Sequence, residues 1–371
     1  MKNIAIIGAG AAGLFAAAQL SKRKDFSVIM FEKAPKVGTK LRASGGGRAN
    51  ILNTNIQGYF YNHPDFIANL LKTVDYKVIK EEFEGMGLRL SADEEGRVYP
   101  ATLFSQTVID VLLNAMGENV QIQTDVEVET LRQMKGKWQV NNEARLFDAV
   151  ILASGSPAGM IAKNRHVYNS YLFDFKLKQE KLNASLVGFK LENYPKELSG
   201  CRARAAVTLL QNGKVVYSEA GEVMFKDDGI SGIVVLNVSA YYNRLKNKEN
   251  CWLSLNFLYD DEHFDEVAYL KKFGDLSGLL HPKLNRLYHK KPFDLRNFQM
   301  KVSGVYDLEF AQVCHGGIAL DEVDETFELR RFPNLYAVGE MLDIDGVCGG
   351  YNLFFAFAGA YRAVQAILQN V

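Results

Sequence analysis

The feature of this 371-residue chain that most constrains its fold is a glycine hexapeptide near the N-terminus. Gly8–Gly13 has the pattern G-x-G-x-x-G, follows the apolar run Asn3–Ile7 and precedes the alanine-rich run Leu14–Leu20. Its glycines permit a tight turn, close approach of the backbone to a pyrophosphate, and close packing of a helix on a strand. A second apolar run, Phe26–Phe31, leads to Glu32, at the distance expected for the acid that binds adenosine ribose hydroxyls. These elements together predict a dinucleotide-binding βαβ unit.

Charge and cysteine content narrow the class of protein. Lys and Arg together number 43, as do Asp and Glu, so the formal net charge is zero. Composition therefore provides no basic field to attract nucleic acid or an anionic membrane. The cysteines, Cys201, Cys251, Cys314 and Cys348, form no C-x-x-C pair, which favours free thiols in the cytoplasm over metal ligands or disulfides. We expect a cytoplasmic monomer or small homo-oligomer with a small-molecule substrate and without metal, nucleic-acid or membrane partners.

The apolar runs predict an α/β fold that a β-rich insert interrupts. Buried parallel strands are expected at Ala149–Ala153 and Leu335–Val338, and a closing helix at Leu353–Leu368. From about Leu182, short runs rich in Val, Leu, Phe and Tyr alternate with turn residues, as in an antiparallel sheet or small barrel. The predicted domains are a discontinuous nucleotide-binding domain and an inserted substrate domain. Their ranges are 1–181 with 315–371 for the first, and 182–314, with a helical part at 261–296, for the second.

Several shorter elements can be assigned from the same patterns. Asp65–Met86 has helical spacing, whereas Val120–Val128 and Trp138–Val140 have the character of strands. Strands are also expected in the insert, at Leu186–Leu191, Ala205–Leu210, Val215–Tyr217, Gly221–Met224, Ile233–Val238 and Trp252–Leu258.

Two downstream segments favour FAD over NAD as the bound dinucleotide. Asp148–Gly155 resembles the strand-and-turn motif of two-domain flavoproteins, and Leu335–Glu340 resembles their second motif, in which a terminal acid reaches the cofactor. The chain contains no second G-x-G-x-x-G, which a separate nicotinamide domain would require. We therefore expect non-covalently bound FAD, with NADH or NADPH as a transient electron donor.

Two loops carry a more specific resemblance. Lys40–Asn53 is K-L-R-A-S-G-G-G-R-A-N-I-L-N, and Gly339–Leu353 is G-E-M-L-D-I-D-G-V-C-G-G-Y-N-L. They resemble the signature loops of the BaiN/RdsA family of NAD(P)/FAD-dependent oxidoreductases, also called the aminoacetone oxidase family. The resemblance extends from the first strand to the last helix. It implies a Rossmann-like two-motif FAD-binding domain, an inserted barrel-like domain and a small helical segment, in a family that includes a bile-acid ene-reductase and an amine-type oxidase.

The candidate site residues follow from these motifs. Ser44–Gly47 can wrap around the cofactor, Arg48 offers a cation, and Gly349–Leu353 opens the last helix toward the flavin. The predicted cofactor-binding residues are Gly8, Gly10, Ala11, Ala12, Gly13, Glu32, Lys33, Lys40, Ser44, Gly45, Gly46, Gly47, Arg48, Asn50, Val126, Ala153, Ser154, Gly155, Gly339, Glu340, Asp345, Gly349, Gly350, Tyr351, Asn352 and Leu353. The catalytic candidates are Tyr351, Asn352 and Arg97. Cys348 and His315 are candidates for chemistry, but a structural role is favoured for both.

The function expected from these residues is hydride transfer between FAD and a small organic substrate or NAD(P)H. Reduction and oxidation both remain open. The alternatives are an amine-type oxidase that uses oxygen and a non-catalytic FAD-binding regulatory protein. An RNA-modifying flavoprotein is disfavoured by the zero net charge.

Overall fold

The computed structural model describes residues 1–159 and 171–370. The predicted nucleotide-binding range 1–181 includes residues 160–170, which lie outside the described residues. The strands are, in chain order, β1 (Lys2–Ile7), β2 (Phe26–Phe31), β3 (Leu52–Asn53), β4 (Leu90–Ala92), β5 (Arg97–Pro100), β6 (Val120–Gln123), β7 (Leu131–Met134), β8 (Lys137–Val140), β9 (Ala149–Leu152), β10 (Gln179–Ser185), β11 (Phe189–Leu191), β12 (Arg202–Gln211), β13 (Lys214–Phe225), β14 (Gly229–Ser231), β15 (Cys251–Asn256), β16 (Phe298–Val305), β17 (Val313–Ile318) and β18 (Leu335–Ala337).

The helices are mostly short, and the longest of them ends the described chain. In chain order they are α1 (Ala11–Leu20), α2 (Thr39–Ala43), α3 (Pro64–Leu71), α4 (Tyr76–Gly85), α5 (Ser105–Asn114), α6 (Tyr171–Phe175), α7 (Ile233–Asn243), α8 (Glu266–Phe273), α9 (Pro282–Lys290) and α10 (Tyr351–Asn370). None of these helices is both long and apolar enough to cross a membrane.

The described residues divide into two compact units. The first consists of residues 1–157, 171–182 and 314–370, and the second of residues 158–159 and 183–313. The first unit is built on a parallel sheet with the strand order β18-β9-β1-β2-β6. Every residue of β9 is buried, as are the last four of β1, which explains why these strands are continuous apolar runs rather than alternating ones. This unit has the Rossmann-like α/β architecture expected from the sequence.

The second unit is a closed antiparallel barrel with the strand order β11-β14-β13-β12-β15-β16. Its core contains the inward side chains of these strands together with residues of α7 and α9, among them Phe189, Phe225, Val235 and Leu284. Closure removes the exposed edges that an open sheet of short strands would present. The β-rich, barrel-like insert and its small helical segment are therefore confirmed as fold features.

Some predicted elements were wrong in type. Ile233–Val238 is not a strand but the start of α7, which follows Gly232 in a left-handed conformation (φ 117°). Val234, Val235, Val238 and Ala240 are all buried, so this helix is covered on most of its sides. Such a helix lacks the 3.6-residue alternation that distinguishes helices in sequence, and its β-branched residues then favour a strand assignment.

Other elements differ in extent. Asp65–Met86 is two helices, α3 and α4, because the Asp75 carboxylate accepts from the N–H groups of Lys77 and Val78 and starts a new helix. The strand predicted over Val120–Val128 ends at Gln123. The separate strands predicted at 215–217 and 221–224 are one long strand, β13, paired with β12 along its length.

Candidate functional site

The turn between β1 and α1 has the geometry of a dinucleotide-binding loop. A Cβ on Gly13 would lie 2.0 Å from the carbonyl oxygen of Gly8, so only glycine allows the helix to pack this closely on the strand. A Cβ on Gly10 would have no other atom of the described chain within 4 Å. The first helical bond runs from Leu14 N–H to Gly10 C=O, which leaves the N–H groups of Ala11 and Ala12 at the open helix terminus. The loop therefore offers open space next to backbone donors that have no partner within the helix.

Glu32, at the end of β2, is held rigidly beside this loop. One carboxylate oxygen accepts from Ala9 N–H and the other from Ala34 N–H, both at 2.8 Å. Its backbone carbonyl accepts from Val126 N–H at 3.0 Å, so Val126 lies next to Glu32 although it is not in a strand. Lys33 is the half-buried residue that follows. Each Glu32 oxygen has further lone-pair capacity for a ligand hydroxyl.

The Ser44–Gly47 segment forms a single 3₁₀ turn with an irregular backbone. Gly45, Gly46 and Gly47 have φ angles of 57°, 65° and 86°. A Cβ on either Gly46 or Gly47 would meet no atom of the described residues within 4 Å. The guanidinium of Arg48 is exposed and lies 5.5 Å from the centre of the Tyr99 ring. The loop therefore borders open space, with a cation beside it.

Lys40 and Glu340, both predicted cofactor residues, contact one another. Lys40 Nζ lies 2.6 Å from Glu340 Oε2 and 3.3 Å from Ser156 Oγ. The other Glu340 oxygen also accepts from Cys314 N–H at 3.2 Å. Ser154 Oγ lies 3.9 Å from the sulfur of Met341.

These residues border a small recess that is open to solvent and lies wholly within the first unit. It is lined by Gly155, Ser156, Pro157, Leu172, Gln179, Leu182, Gly317, Ile318, Glu340 and Met341. The carbonyl of Ala153 lies against Gly8, and a Cβ on Gly339 would lie 3.4 Å from Ala12 Cβ. The two flavoprotein-like motifs and the glycine loop are thus brought together at one edge of the parallel sheet.

The Gly349–Leu353 segment packs against β3 and the residues that precede it. A Cβ on Gly350 would lie 2.2 Å from the carbonyl oxygen of Leu52, and Gly350 has a φ of 96°, so this position requires glycine. With its amide turned so that both groups are satisfied, Asn50 accepts from Gly350 N–H and donates to Leu52 C=O. Asn53 Nδ2 donates to Gly349 C=O at 2.9 Å. Asn50 therefore joins the two signature loops, a role that its motif position did not reveal.

Tyr351 and Asn352, the two catalytic candidates at the start of α10, both contact other residues of the protein. Tyr351 is buried and stacks on Phe60 with ring centres 4.4 Å apart, and its carbonyl accepts from Tyr61 Oη at 2.8 Å. Burial, and to a lesser degree Tyr351, raises the pKa of Tyr61 well above its usual value, so this phenol stays protonated and donates. The Asn352 amide accepts from Gly346 N–H and donates to the carbonyls of Gly346 and Val347. Leu353, by contrast, is half-buried.

Arg97, the third catalytic candidate, is engaged by carboxylates of its own hairpin turn. Its Nε lies 2.8 Å from Asp93 Oδ2 and its Nη2 lies 2.9 Å from Glu95 Oε1. The structure therefore places the guanidinium in a local ion-pair cluster between β4 and β5.

A pair of histidine–aspartate contacts was missed by the sequence analysis. His315 Nδ1 lies 2.8 Å from Asp345 Oδ1, and His63 Nε2 lies 2.9 Å from Asp343 Oδ2. Asn62 connects the pairs: its Nδ2 donates to Asp343 Oδ1, and its Oδ1 accepts from Asp345 N–H. The only sequence indication of these contacts was that Asp343 and Asp345 are one residue apart. That spacing does not show which histidines face the two acids.

The charge of Asp343 is stabilised within this cluster. Burial acts to raise the pKa of Asp343, but the hydrogen bond and charge of His63, the charge of His315 and the N–H of Gly316 outweigh it. The net effect lowers the pKa of Asp343 below its usual range. The carboxylate therefore remains ionised at neutral pH.

The cysteines give no sign of redox pairing. All four lie in the described part of the chain and carry thiols rather than disulfides. Cys314 is buried and Cys348 is half-buried.

Comparison with known proteins identifies the family. The model of the HI0933-like protein Rossmann domain matches residues 2–366. The chain is 29% identical over 409 residues to the 3-dehydro-bile acid delta(4,6)-reductase of Clostridium scindens, with 100% of both proteins covered. It is 27% identical over 411 residues to the ribosomal RNA dihydrouridine synthase of Haemophilus influenzae, covering 98% of the chain and 97% of the relative.

Among solved structures, the 3-ketosteroid delta1-dehydrogenase of Sterolibacterium denitrificans matches with a TM-score of 0.53 and 12% identity over the whole of both chains. That similarity shows a shared fold. The match over nearly the full length confirms the resemblance drawn from the signature loops: the chain is an oxidoreductase that belongs to the HI0933-like Rossmann-domain family, a family of flavin-type oxidoreductases.

Proposed function

We propose that the protein is an FAD-dependent reductase of carbon–carbon double bonds conjugated with a carbonyl group, with NADH or NADPH as the transient electron donor. The names of the two relatives support this chemistry. A 3-dehydro-bile acid with 4,6 double bonds is a conjugated ketone, and dihydrouridine is uridine reduced at the double bond next to its C4 carbonyl. Both reactions therefore add two electrons and two protons to the same kind of bond.

The observation that carries the proposal is the fit of the glycine loop and Glu32 to a dinucleotide. A Cβ on Gly10 would have no other described atom within 4 Å, and Gly10 immediately precedes the N–H groups of Ala11 and Ala12 at the start of α1. Buried glycines that touch only protein, such as Gly13, do not have this property. A helix N-terminus with unpaired backbone N–H groups and open space beside them suits a pyrophosphate group.

The residues present could hold FAD as follows. The N–H groups at the start of α1 would bind the pyrophosphate, and Glu32 would accept from ribose hydroxyls. Lys40 and Arg48 would balance the phosphate charge, and the Gly349–Gly350 turn would allow a close approach of backbone to the ring system. FAD, when bound, would supply the two-electron chemistry of hydride acceptance and donation.

The test begins with the purified holoenzyme under anaerobic conditions. We expect NADH or NADPH to bleach the oxidised flavin absorption band. Addition of a 3-oxo-4,6-diene bile acid or cyclohex-2-enone should then restore the band and yield the saturated product. Failure of all conjugated carbonyl probes to reoxidise the reduced protein would contradict the proposal. Rapid reoxidation by oxygen alone would favour the oxidase alternative, and a flavin that neither donor reduces would favour the regulatory one.

A ribosomal RNA substrate is the second candidate, because the Haemophilus influenzae and Escherichia coli relatives carry the name ribosomal RNA dihydrouridine synthase. The zero net charge of the chain weighs against it, since RNA binding relies on a basic surface. Reoxidation of the reduced protein by an unmodified ribosomal RNA transcript, but by neither small probe, would establish this candidate instead. Dihydrouridine in the transcript would be the matching product.

A further inference from the structure

His315 and Asp345 form a dyad, and Asp345 is held both by His315 and by Asn62. The Asp345 side chain is 0% exposed, and its Oδ1 lies 2.8 Å from His315 Nδ1, whereas the His315 side chain is 21% exposed. Asp345 N–H is bound to Asn62 Oδ1 at 3.0 Å. A buried carboxylate at Nδ1 fixes the orientation and tautomer of an imidazole, and leaves Nε2 as the nitrogen on the opposite edge of the ring.

The strand that carries His315 also contributes residues to the lining of the recess that the cofactor motifs border. On either side of His315, Cys314 N–H donates to Glu340 and Gly316 N–H donates to Asp343. Gly317 and Ile318, two and three residues further along β17, line the recess together with Glu340. His315, the partly exposed titratable group on β17, is therefore two residues from the lining of this recess.

We propose that His315 is the acid that supplies the proton in the reduction, and that Asp345 is its positioning residue. This inference rests on the proposed function. The need for such an acid follows from the chemistry: hydride addition to a conjugated carbonyl leaves an enolate, which must gain a proton before product leaves. No other imidazole of the described first unit is bound through Nδ1 to a fully buried carboxylate.

The step balances in atoms and electrons. FAD, when bound and reduced, would supply a hydride to the β-carbon of the substrate, and the π electrons of the double bond would move toward the carbonyl oxygen. The enolate then forms a C–H bond at the α-carbon while the Nε2–H bond of the His315 imidazolium breaks. The electron pair of that bond stays on nitrogen, and water returns a proton to the neutral ring. Asp345 keeps its negative charge throughout and stabilises the imidazolium.

The neighbouring pair, His63 and Asp343, serves as an internal comparison. His63 is bound through Nε2 rather than Nδ1, and its side chain is 43% exposed. The Asp343 carboxylate also accepts from Asn62 and from Gly316 N–H, so this pair anchors loops to one another. We assign no proton transfer to it.

The experiment separates the two half-reactions of the holoenzyme. His315→Asn retains an N–H near the Nδ1 position for Asp345 but has no transferable proton. His63→Gln is the matched control, since its amide nitrogen can replace Nε2 against Asp343. Each protein is reduced photochemically, so that the result does not depend on NAD(P)H, and is then mixed with the conjugated probe that reoxidises the wild-type protein in the preceding test.

We expect His315→Asn to bind and reduce FAD normally but to reoxidise about 100-fold more slowly, the range typical for loss of a general acid. His63→Gln should reoxidise within about twofold of wild type. In His315→Ala, added imidazole should restore part of the rate, which a merely structural histidine would not allow. Asp345→Asn should slow reoxidation and enlarge the solvent deuterium isotope effect while FAD content is unchanged.

Three other results would each overturn the proton-donor role of His315. Equal reoxidation rates for wild type and His315→Asn would overturn the dyad and leave the proposed function intact. Loss of rate in both histidine variants, without imidazole rescue, would assign both pairs to loop anchoring and overturn the proton role. A wild-type protein that no conjugated probe reoxidises would overturn the proposed function itself, and the dyad with it.

Discussion

The two ends of the candidate site are stabilised in different ways. At the front end, Gly8–Gly13 and Glu32, the contacts are short-range in sequence and made largely by backbone. The Gly8 carbonyl lies against Gly13, and the Glu32 carboxylate accepts two backbone N–H groups. At the far end, Asp343–Asn352, side-chain amides, carboxylates and imidazoles hold the loops. Several of these contacts join residues more than 280 positions apart.

This difference determines which substitutions each end of the site tolerates. A backbone contact made by glycine fails when any side chain is added, because the neighbouring carbonyl cannot move away cheaply. A side-chain hydrogen bond fails only when the donor or acceptor is removed, and each costs about 1 kcal/mol. The front end should therefore be sensitive to volume and the far end to polarity.

The largest effect is expected for alanine at Gly13, compared with alanine at Gly10. Gly13→Ala places a Cβ 2.0 Å from the Gly8 carbonyl oxygen and should cost about 3 kcal/mol of folding free energy, together with most of the bound FAD. Gly10→Ala meets no described atom within 4 Å and has an ordinary φ of −83°, so the apoprotein should keep its stability. It should nevertheless bind FAD at least tenfold more weakly, because the methyl group enters the space in front of the helix terminus.

Urea unfolding of the deflavinated proteins and FAD titration check this contrast. If Gly10→Ala bound FAD as tightly as wild type, the space beside it would not be the pyrophosphate site. If Gly13→Ala were as stable as wild type, the strand–helix contact would be looser than the structure shows.

The same contrast explains how far the fold could be read from the sequence. The βαβ unit could be predicted within a few residues because its signals, glycine spacing and apolar runs, are local. Ile233–Val238 was misassigned because burial on most sides of α7 removed the helical alternation. The break between α3 and α4 depends on one capping carboxylate, Asp75, within a longer helical pattern. The glycine loop could therefore be predicted from local sequence, whereas the type of α7 depends on how the helix is buried in the fold.

For the site, motif positions identified which loops matter but not what each side chain does. Asn50, Asn352 and Tyr351 were expected to face the cofactor or substrate, yet their described contacts bind the loops to each other. His63 and Asn62 were not anticipated at all, since their partners lie at the other end of the chain. A single sequence contains no record of such long-range pairings.

An intermediate effect is expected at Asn352, where a structural and a catalytic role predict different results. Asn352→Ala removes the hydrogen bonds to Gly346 and Val347 and should lower the free energy of unfolding by about 2 kcal/mol. Residual turnover should track the fraction of protein that retains FAD. A variant of unchanged stability and FAD content that has lost turnover would instead support the catalytic role predicted for Asn352. Leu353→Ala, which removes no hydrogen bond at this turn, is the neighbouring control.

The smallest effect concerns the acid dependence of stability at Asp343. Because the pKa of Asp343 is lower in the folded protein than in the unfolded chain, its ionised form stabilises the fold at neutral pH. That contribution is lost as the pH falls through the folded-state value, in a window below about pH 4. Asp343→Asn should therefore be less stable than wild type at pH 7 but lose less stability between pH 5 and pH 3, as followed by urea midpoints at each pH.

Asp93 provides a control for this last comparison. Burial acts to raise the pKa of its carboxyl, but hydrogen bonds from Arg97 outweigh it and lower the pKa, as at Asp343. However, its side chain is 32% exposed, so solvent and salt screen the interaction. Asp93→Asn should change the acid dependence less than Asp343→Asn does, and added salt should remove the Asp93 effect first. Equal effects at both positions would mean that the buried network at the far end is no stronger than an exposed turn, and that its carboxylates fix loop geometry without adding appreciably to stability.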